Sequence, residues 1–241
     1  MRISVVVPAF NEERLLAASL RSIRAAMGVF DQSGWSSELI VCDNNSTDRT
    51  SGIARAAGAK VVFEPINQIA RARNTGAAHA SGDWLIFVDA DSYPTRELFG
   101  DLVEEIRNGA CVAGGSTVSI ESSHRALTFL IWVWNGLSRM TRWAAGSCMF
   151  CEAAAFRAVG GFNQELYAAE EIDLFRRLKR LARQQGRTVV ILQCHPLRTS
   201  DRKIHLYTTR ELLTFLIKTI ARGGRTLRSS EHCFAWYDGR R

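Results

Sequence analysis

Through the first third of the chain, short runs of apolar residues alternate with amphipathic stretches. Ile3 to Val7 is an unbroken apolar run of strand length, the pattern of a central parallel strand covered on both faces. From Glu12 to Met27 the period changes, and Leu15, Leu16, Ser19, Leu20, Ile23 and Met27 recur at helical spacing. The unit then repeats. Glu38 to Cys42 reads as a second strand and Ser46 to Ala57 as a second helix, with Ser46 as its N-cap and Asp48 in the first turn. Lys60 to Phe63 gives a third strand, Ile69 to Ala80 a third helix, and Trp84 to Val88 a fourth strand running into Asp89-Ala90-Asp91. This alternation predicts an α/β fold: a doubly wound parallel sheet with right-handed crossovers.

The second half is less regular. Glu97 to Arg107 reads as a helix, Cys111 to Ile120 as extended chain, Leu127 to Trp143 as an aromatic helix and Gly146 to Phe150 as a short strand. Glu170 to Gln185 is a strongly basic helix, Val189 to Cys194 a strand and Thr208 to Arg222 a last helix. No Pro-, Gly- or Ser-rich linker and no fixed-period repeat divides the chain, so one domain over residues 1–241 is expected.

Composition narrows the class. The chain has 241 residues, 46% of them hydrophobic and 23% charged, with a net charge of +7, which describes a globular protein with a real core. No apolar run reaches the roughly 18 residues of a spanning helix. The N-terminus enters a strand at once without a cleavable leader, so a cytoplasmic location is expected. Six cysteines read as reduced thiols. Cys42, Cys111 and Cys194 sit in apolar strand-like runs, and Cys148 and Cys151 form a CxxC without the spacing of a zinc or redox site.

In such sheets ligands bind beyond the carboxyl ends of the strands, which here are Pro8 to Glu12, Asp43 to Ser46, Glu64-Pro65 and Asp89 to Asp91. Asp89 and Asp91 alternate in extended chain and point the same way, a geometry suited to Mg2+ or Mn2+ shared with substrate phosphates. The blander alternative is a strand end and a turn before Pro94. Asp43 ends a buried strand, where its carboxylate can accept hydrogen bonds from a base or ribose, with Pro8, Phe10 and Glu12 as the opposite wall.

Four stretches together carry a resemblance: Val5 to Glu13 around Pro8-Ala9-Phe10-Asn11-Glu12, Asp43 to Asp48, Arg71-Ala72-Arg73-Asn74-Thr75-Gly76, and Asp89-Ala90-Asp91. In order and spacing they resemble the family 2 glycosyltransferases of GT-A fold. Val159-Gly160-Gly161-Phe162-Asn163 and Glu170-Glu171-Ile172-Asp173-Leu174 extend the likeness to about residue 180. The resemblance implies a Rossmann-like, mostly parallel sheet with helices on both faces, and inverting transfer of one sugar from a nucleotide-diphosphate donor to an acceptor hydroxyl.

It further implies a nucleotide-sugar half over 1–110 and an acceptor half with C-terminal helices over 111–241. Asp43 would hold the base, Asp89 the ribose and metal edge, and Asp91 the metal on the diphosphate, with Ala90 between them as part of the nucleotide site. Arg73, in preference to Arg71, would bind base or phosphate oxygens. The base that removes the acceptor proton would be Glu171 or Glu170, where the family usually carries Glu-Asp. Asp173 would be a cap or orienter. The segment Arg198 to His205 offers further contacts: His205, or His195 before it, as a metal ligand, and Arg202 and Lys203 as phosphate clamps. The QxxRW motif of processive synthases is missing, since Arg139 stands where Gln would precede Arg142-Trp143. A cell-envelope glycolipid or polysaccharide precursor is the implied acceptor class.

Arg176, Arg177, Lys179, Arg180 and Arg183 wrap the basic helix. They form either a solvated face or, with Trp132, Trp134 and Trp143, a region attracted to a phosphate-bearing acceptor or to anionic lipid at the inner face of the plasma membrane. Two rivals stand beside the transferase. A sugar nucleotidyltransferase calls for a Gly-rich phosphate loop where Ala9 to Glu12 stands. A basic nucleic-acid-binding module calls for a finger, zipper or RNP motif, none of which is present, so no nucleic-acid partner is expected.

Overall fold

In chain order the elements are β1 (Arg2–Ala9), α1 (Leu16–Gln32), β2 (Ser36–Asp43), α2 (Thr50–Ala56), β3 (Lys60–Phe63), α3 (Ile69–Ala78), β4 (Trp84–Val88), β5 (Ser92–Tyr93) and α4 (Arg96–Asn108). They continue as β6 (Cys111–Ser119), α5 (Arg125–Thr141), β7 (Cys148–Glu152), α6 (Ala153–Ala158), α7 (Glu170–Gln184), β8 (Thr188–Thr199) and a 3-10 turn at Arg225–Arg228. The structure, a computed structural model, describes residues 1–120, 125–200, 225–229 and 233. The helix expected over Thr208 to Arg222 lies outside these.

One sheet of eight strands has the order β3-β2-β1-β4-β7-β6-β8-β5. The first four strands are parallel neighbours, as their unbroken apolar runs predict. Ile3, Val5 and Val7 face Leu16, Leu20, Ile23 and Phe30 of α1 and Leu98, Phe99 and Leu102 of α4. Val6, Leu85 and Phe87 face the other way, onto Phe156, Phe162, Leu174 and Phe175. Helices thus cover both faces. At Gly76 a Cβ would stand 2.4 Å from Val6 Cγ1, so only glycine lets α3 lie this close to β1.

The second half departs from a purely parallel sheet. β7 runs antiparallel to both β4 and β6, β5 runs antiparallel to β8, and β6 and β8 are parallel. β5 and α6 have no counterpart in the sequence pattern, because a two-residue strand and a six-residue helix are too short to show a period.

Three local expectations are corrected. α2 starts at Thr50 with Arg49 at its N-cap, not at Ser46. Ser46 Oγ instead accepts the Asn11 N–H at 3.0 Å, and the Asp48 carboxylate accepts those of Thr50 at 2.9 Å and Glu13 at 3.1 Å. Burial pushes the Asp48 carboxyl up, but the Thr50 and Glu13 donors prevail and hold it below its ordinary value. α1 starts at Leu16 and not near Glu12, since Asn11 takes a left-handed conformation (φ 51°) and turns the chain first. Cys194 is exposed, since it lies in the stretch of β8 between Leu192 and Leu197 where the register with β6 shifts.

Cys148 and Cys151 are free and buried in β7. Burial pushes the Cys148 thiol up to about 12, with a Ser116 hydrogen bond opposing, so the CxxC is a pair of small packed side chains.

Candidate active site

Loops beyond the carboxyl ends of β1 and β2 are knitted together. Asn11 accepts the Thr47 N–H on its side-chain oxygen at 2.8 Å, and the Glu12 N–H donates to Thr50 Oγ1 at 2.8 Å. Pro8 lies buried opposite Cys42 in the sheet, Phe10 is half-buried, and Glu12 is buried. Asp43 is 6% exposed and its Oδ1 accepts the Ser46 N–H at 3.0 Å, which sets the carboxylate at the end of β2.

A polar seam that the sequence pattern does not announce continues along β3. Asn44 Oδ1 accepts the Gln68 N–H at 2.9 Å, while Glu64 accepts from Ile66 N–H at 3.0 Å and Thr75 Oγ1 at 2.6 Å. Gln68 Nε2 then reaches the carbonyls of Gln164 and Leu166 at 2.7 and 2.9 Å, tying the first half of the chain to the loop before α7. In the sequence, Glu64-Pro65 reads only as a strand end.

The charged centre is Arg73. Its side chain is buried, with one terminal nitrogen donating to Glu170 Oε1 at 2.6 Å and the other to Asp89 Oδ1 at 2.9 Å and the Gly146 carbonyl at 3.0 Å. The guanidinium also stands over the Phe162 ring, 5.3 Å from its centroid. Burial works against its charge, but Asp89, Glu170 and Glu171 outweigh burial and hold it protonated. Arg71 is half-buried and takes no part in these bonds.

Glu170 is buried in the first turn of α7, next to Glu171. Burial and the Glu170 carboxylate push the Glu171 carboxyl up to about 8, with Arg73 pulling the other way. Gly146 closes this cluster: a Cβ there would stand 3.1 Å from an Arg73 nitrogen and 3.7 Å from the Glu171 carboxyl carbon.

Asn74 holds the Gly161-Phe162 step in register, its amide oxygen accepting the Phe162 N–H and its amide nitrogen donating to the Phe162 carbonyl, each at 2.9 Å. Asp173 faces a different partner. Its Oδ2 accepts from Arg177 at 2.6 and 2.9 Å, and this pair lines an open groove of about 430 Å3 with Asn74, Asn163 and Gln164.

Asp91 is 5% exposed and accepts the Ser200 hydroxyl at 2.9 Å and, on its carbonyl, the Ser200 N–H at 3.1 Å. Ala90 between the two acids is buried. Asp89 and Asp91 are a candidate donor set of hard carboxylate oxygens at the end of β4, and among the described residues no group of three His, Cys, Asp or Glu gathers around them. That set fits Mg2+ or Mn2+, which takes one or two carboxylates and completes its shell with water and substrate phosphates. His195 pairs through Nδ1 with Asp101 of α4 at 3.0 Å, and among the described residues it joins no group of three such ligands. His205, Arg202 and Lys203 lie outside the described residues.

Residues beyond the Arg198 to His205 segment also reach the site. The Tyr167 N–H donates to the Leu227 carbonyl at 2.7 Å, Arg228 pairs with Glu165 at 3.4 Å, and Cys233 is buried close enough to Glu170 to feel its charge.

Comparison with known proteins bears on the family and the fold. The Pyrococcus furiosus dolichol-phosphate mannosyltransferase is 32% identical over 124 residues, covering 48% of this chain and 33% of that protein. The Edwardsiella ictaluri undecaprenyl-phosphate 4-deoxy-4-formamido-L-arabinose transferase is 31% identical over 165 residues, covering 65% and 49%. The chain therefore spans a third to a half of these curated relatives. A mannosyltransferase from Pyrobaculum calidifontis, solved with GDP-Man and Mn2+, superposes with a TM-score of 0.65 at 18% identity over 92% of this chain and 64% of that one, which shows a shared fold. The profile described as glycosyl transferase family 2 matches residues 4–157, well over half of the sequence. The chain belongs to glycosyl transferase family 2.

Proposed function

We propose that this chain transfers one sugar from a nucleotide-diphosphate donor to an acceptor hydroxyl, with inversion at the anomeric carbon. The observation that carries the reading is the convergence of Asp89, Glu170 and Glu171 on the buried Arg73, at the strand ends of a family 2 chain. Residues 1–110 supply the donor half and 111–241 the acceptor half.

Asp43, with Pro8, Phe10 and Glu12 across from it, receives the nucleoside. Asp89 and Asp91 would hold Mn2+ or Mg2+, which when bound would neutralise the charge of the departing diphosphate. Arg73 keeps Asp89 and Glu170 fixed. Glu170 is committed to Arg73 at 2.6 Å, so the proton of the acceptor hydroxyl goes to Glu171. A carboxylate raised towards 8 is a stronger base than an ordinary one, which suits it to that proton.

The names of two curated relatives carry dolichol phosphate and undecaprenyl phosphate, and a lipid-linked, phosphate-bearing acceptor of cell-envelope synthesis that presents a hydroxyl to the donor is the class we assign. No helix among the described residues is long and apolar enough to cross a membrane. We place the reaction on the cytoplasmic side, at the inner face of the plasma membrane.

The test is a thermal-shift panel of uridine and guanosine diphosphate sugars with and without Mn2+, followed by assay of nucleoside diphosphate release. Stabilisation by one donor that depends on the metal supports the reading, since mass action raises the melting point only for a ligand the fold binds. Absence of a shift with every donor overturns it.

A further inference from the structure

The outer face of α5 carries an apolar stripe. Phe129, Trp132, Val133, Leu137 and Met140 follow helical spacing and are 60, 67, 44, 37 and 79% exposed. Phe129 and Trp132 stack on each other, their centroids 5.9 Å apart. Isolated surface apolars need no explanation, but a continuous helical stripe of them does.

The inner face of the helix is firmly held. Ile131 and Trp134 pack against the core. Asn135 treats β6 as a strand would: its amide oxygen accepts the Val118 N–H at 3.0 Å and its amide nitrogen donates to the Val118 carbonyl at 2.8 Å. Ser138 Oγ donates to the Trp143 carbonyl at 2.6 Å. These bonds fix the rotation of α5, and with it the outward direction of the stripe.

Cations gather at the C-terminal end of the same helix. Lys179 Nζ donates to the carbonyl of Thr141, where α5 ends. The Arg176 guanidinium and the Lys179 ammonium lie over the Trp143 ring, 5.2 and 6.0 Å from its centroid. Burial, then the charges of Arg183, Arg142 and Arg176, pull the Lys179 ammonium below its ordinary value. Such self-repulsion is relieved by an anionic surface.

An aromatic stripe beside a cationic cluster is the pattern of a helix lying in a lipid–water interface, the depth that tryptophan favours. We infer that the outer face of α5, with Arg142, Arg176, Lys179 and Arg183, is a docking surface for an anionic lipid bilayer. The chain leaving α5 passes through Trp143 to Gly146, whose carbonyl accepts from Arg73, so only a few residues of chain join this face to the acidic cluster. The inference deepens the lipid-linked acceptor assignment above and rests on it for its purpose.

The full chain is pelleted with vesicles of phosphatidylglycerol and phosphatidylcholine in equal parts, and with phosphatidylcholine alone. Pelleting is expected with the anionic vesicles, weakened about tenfold in Trp132→Ser/Met140→Ser and in Arg176→Gln/Arg183→Gln. Met140→Ser alone, at a residue 79% exposed, replaces the first variant if that fails to fold. Wild-type protein that stays in solution with anionic vesicles overturns the inference, as does unchanged pelleting of the stripe variant. A concentration-dependent dimer that does not pellet, and that the stripe substitutions dissolve, assigns the face to a second copy and overturns it too. Nucleoside diphosphate binding is measured on the same samples without vesicles. Wild-type protein that binds nucleotide but does not pellet refutes the docking surface alone, and pelleting without nucleotide binding refutes the transferase reading alone.

Discussion

Arg73 and Glu170, ninety-seven positions apart in sequence, form a buried ion pair at 2.6 Å, with side chains 2 and 5% exposed. The pair joins α3 of the first half to α7 of the second, and Asp89 extends it to the end of β4 at 2.9 Å. A buried pair of this kind is weak evidence of stability in itself, because desolvation offsets the attraction. Its consequence is positional: the acid that ends the fourth strand and the acids that begin α7 cannot move independently.

Removing the cation should therefore cost more than one ion pair. Arg73→Gln leaves Asp89, Glu170 and Glu171 facing one another in a poorly hydrated site, and loss of one partner from such a cluster costs about 3–5 kcal/mol. Arg73→Lys keeps the charge but cannot bridge two carboxylates and a carbonyl at once. The expected order of melting temperatures is wild type, then Arg73→Lys, then Arg73→Gln, with sugar transfer lost in both variants. Differential scanning calorimetry with a parallel transfer assay checks it, and an Arg73→Lys enzyme with wild-type turnover contradicts it.

Glu171 links activity and stability to pH in opposite directions. As the base it must be ionised, so the transfer rate should climb as the pH rises towards about 8, well above the ordinary carboxyl value of 4.5. For stability the fold binds this proton more tightly than the unfolded chain does. The contribution of Glu171 is thus fully present below 4.5 and is lost as the pH rises through about 8.

Glu171→Gln removes the charge and with it this penalty. The variant should melt close to wild type at pH 5 and several degrees above it at pH 9, given roughly 2–4 °C per kcal/mol for a chain of this size. It should bind donor but lose at least about 100-fold in transfer. Paired melts at the two pH values decide the point, and a melting difference that does not grow with pH argues against the raised value.

The metal end separates from the base in the same way. Asp91→Asn keeps a Ser200 acceptor but gives up a hard anionic oxygen, so Mn2+-dependent nucleotide binding should weaken by about tenfold or more. Titration calorimetry with and without chelator measures it. Unchanged metal dependence would move the site away from Asp91.

Much of this architecture is legible in the sequence, for physical reasons that differ by element. Ile3 to Val7 and Trp84 to Val88 are buried on both faces, so the strands are written as unbroken apolar runs. The antiparallel direction of β7 is not legible, because Cys148 to Glu152 is equally apolar read either way and direction is set by the connection. Ser46 and Asp48 have the residue types of a helix cap, yet their partners Asn11 and Glu13 lie at a separation of 35 positions. The acidic motifs of the site are legible as residue types at strand and helix ends. What holds them is not: Gly146 and Gln68 act through backbone carbonyls and long-range bonds that carry no local pattern.

Gly161 offers the sharpest test of such an unwritten constraint. It sits at φ +66°, in the left-handed region, and a Cβ there would stand 2.7 Å from Asn74 Oδ1, the oxygen that accepts the Phe162 N–H. Gly161→Ala therefore combines a backbone cost of about 1 kcal/mol with displacement of Asn74, and Phe162 is the ring beneath Arg73. Gly160, at φ +81° with nothing within 4 Å of where a Cβ would stand, should bear only the backbone cost. Gly161→Ala is thus expected to melt below Gly160→Ala and to lose transfer activity, while Gly160→Ala keeps most of it. Equal behaviour of the two variants in thermal melts and transfer assays would mean that the Asn74 clamp does not hold Arg73 in place.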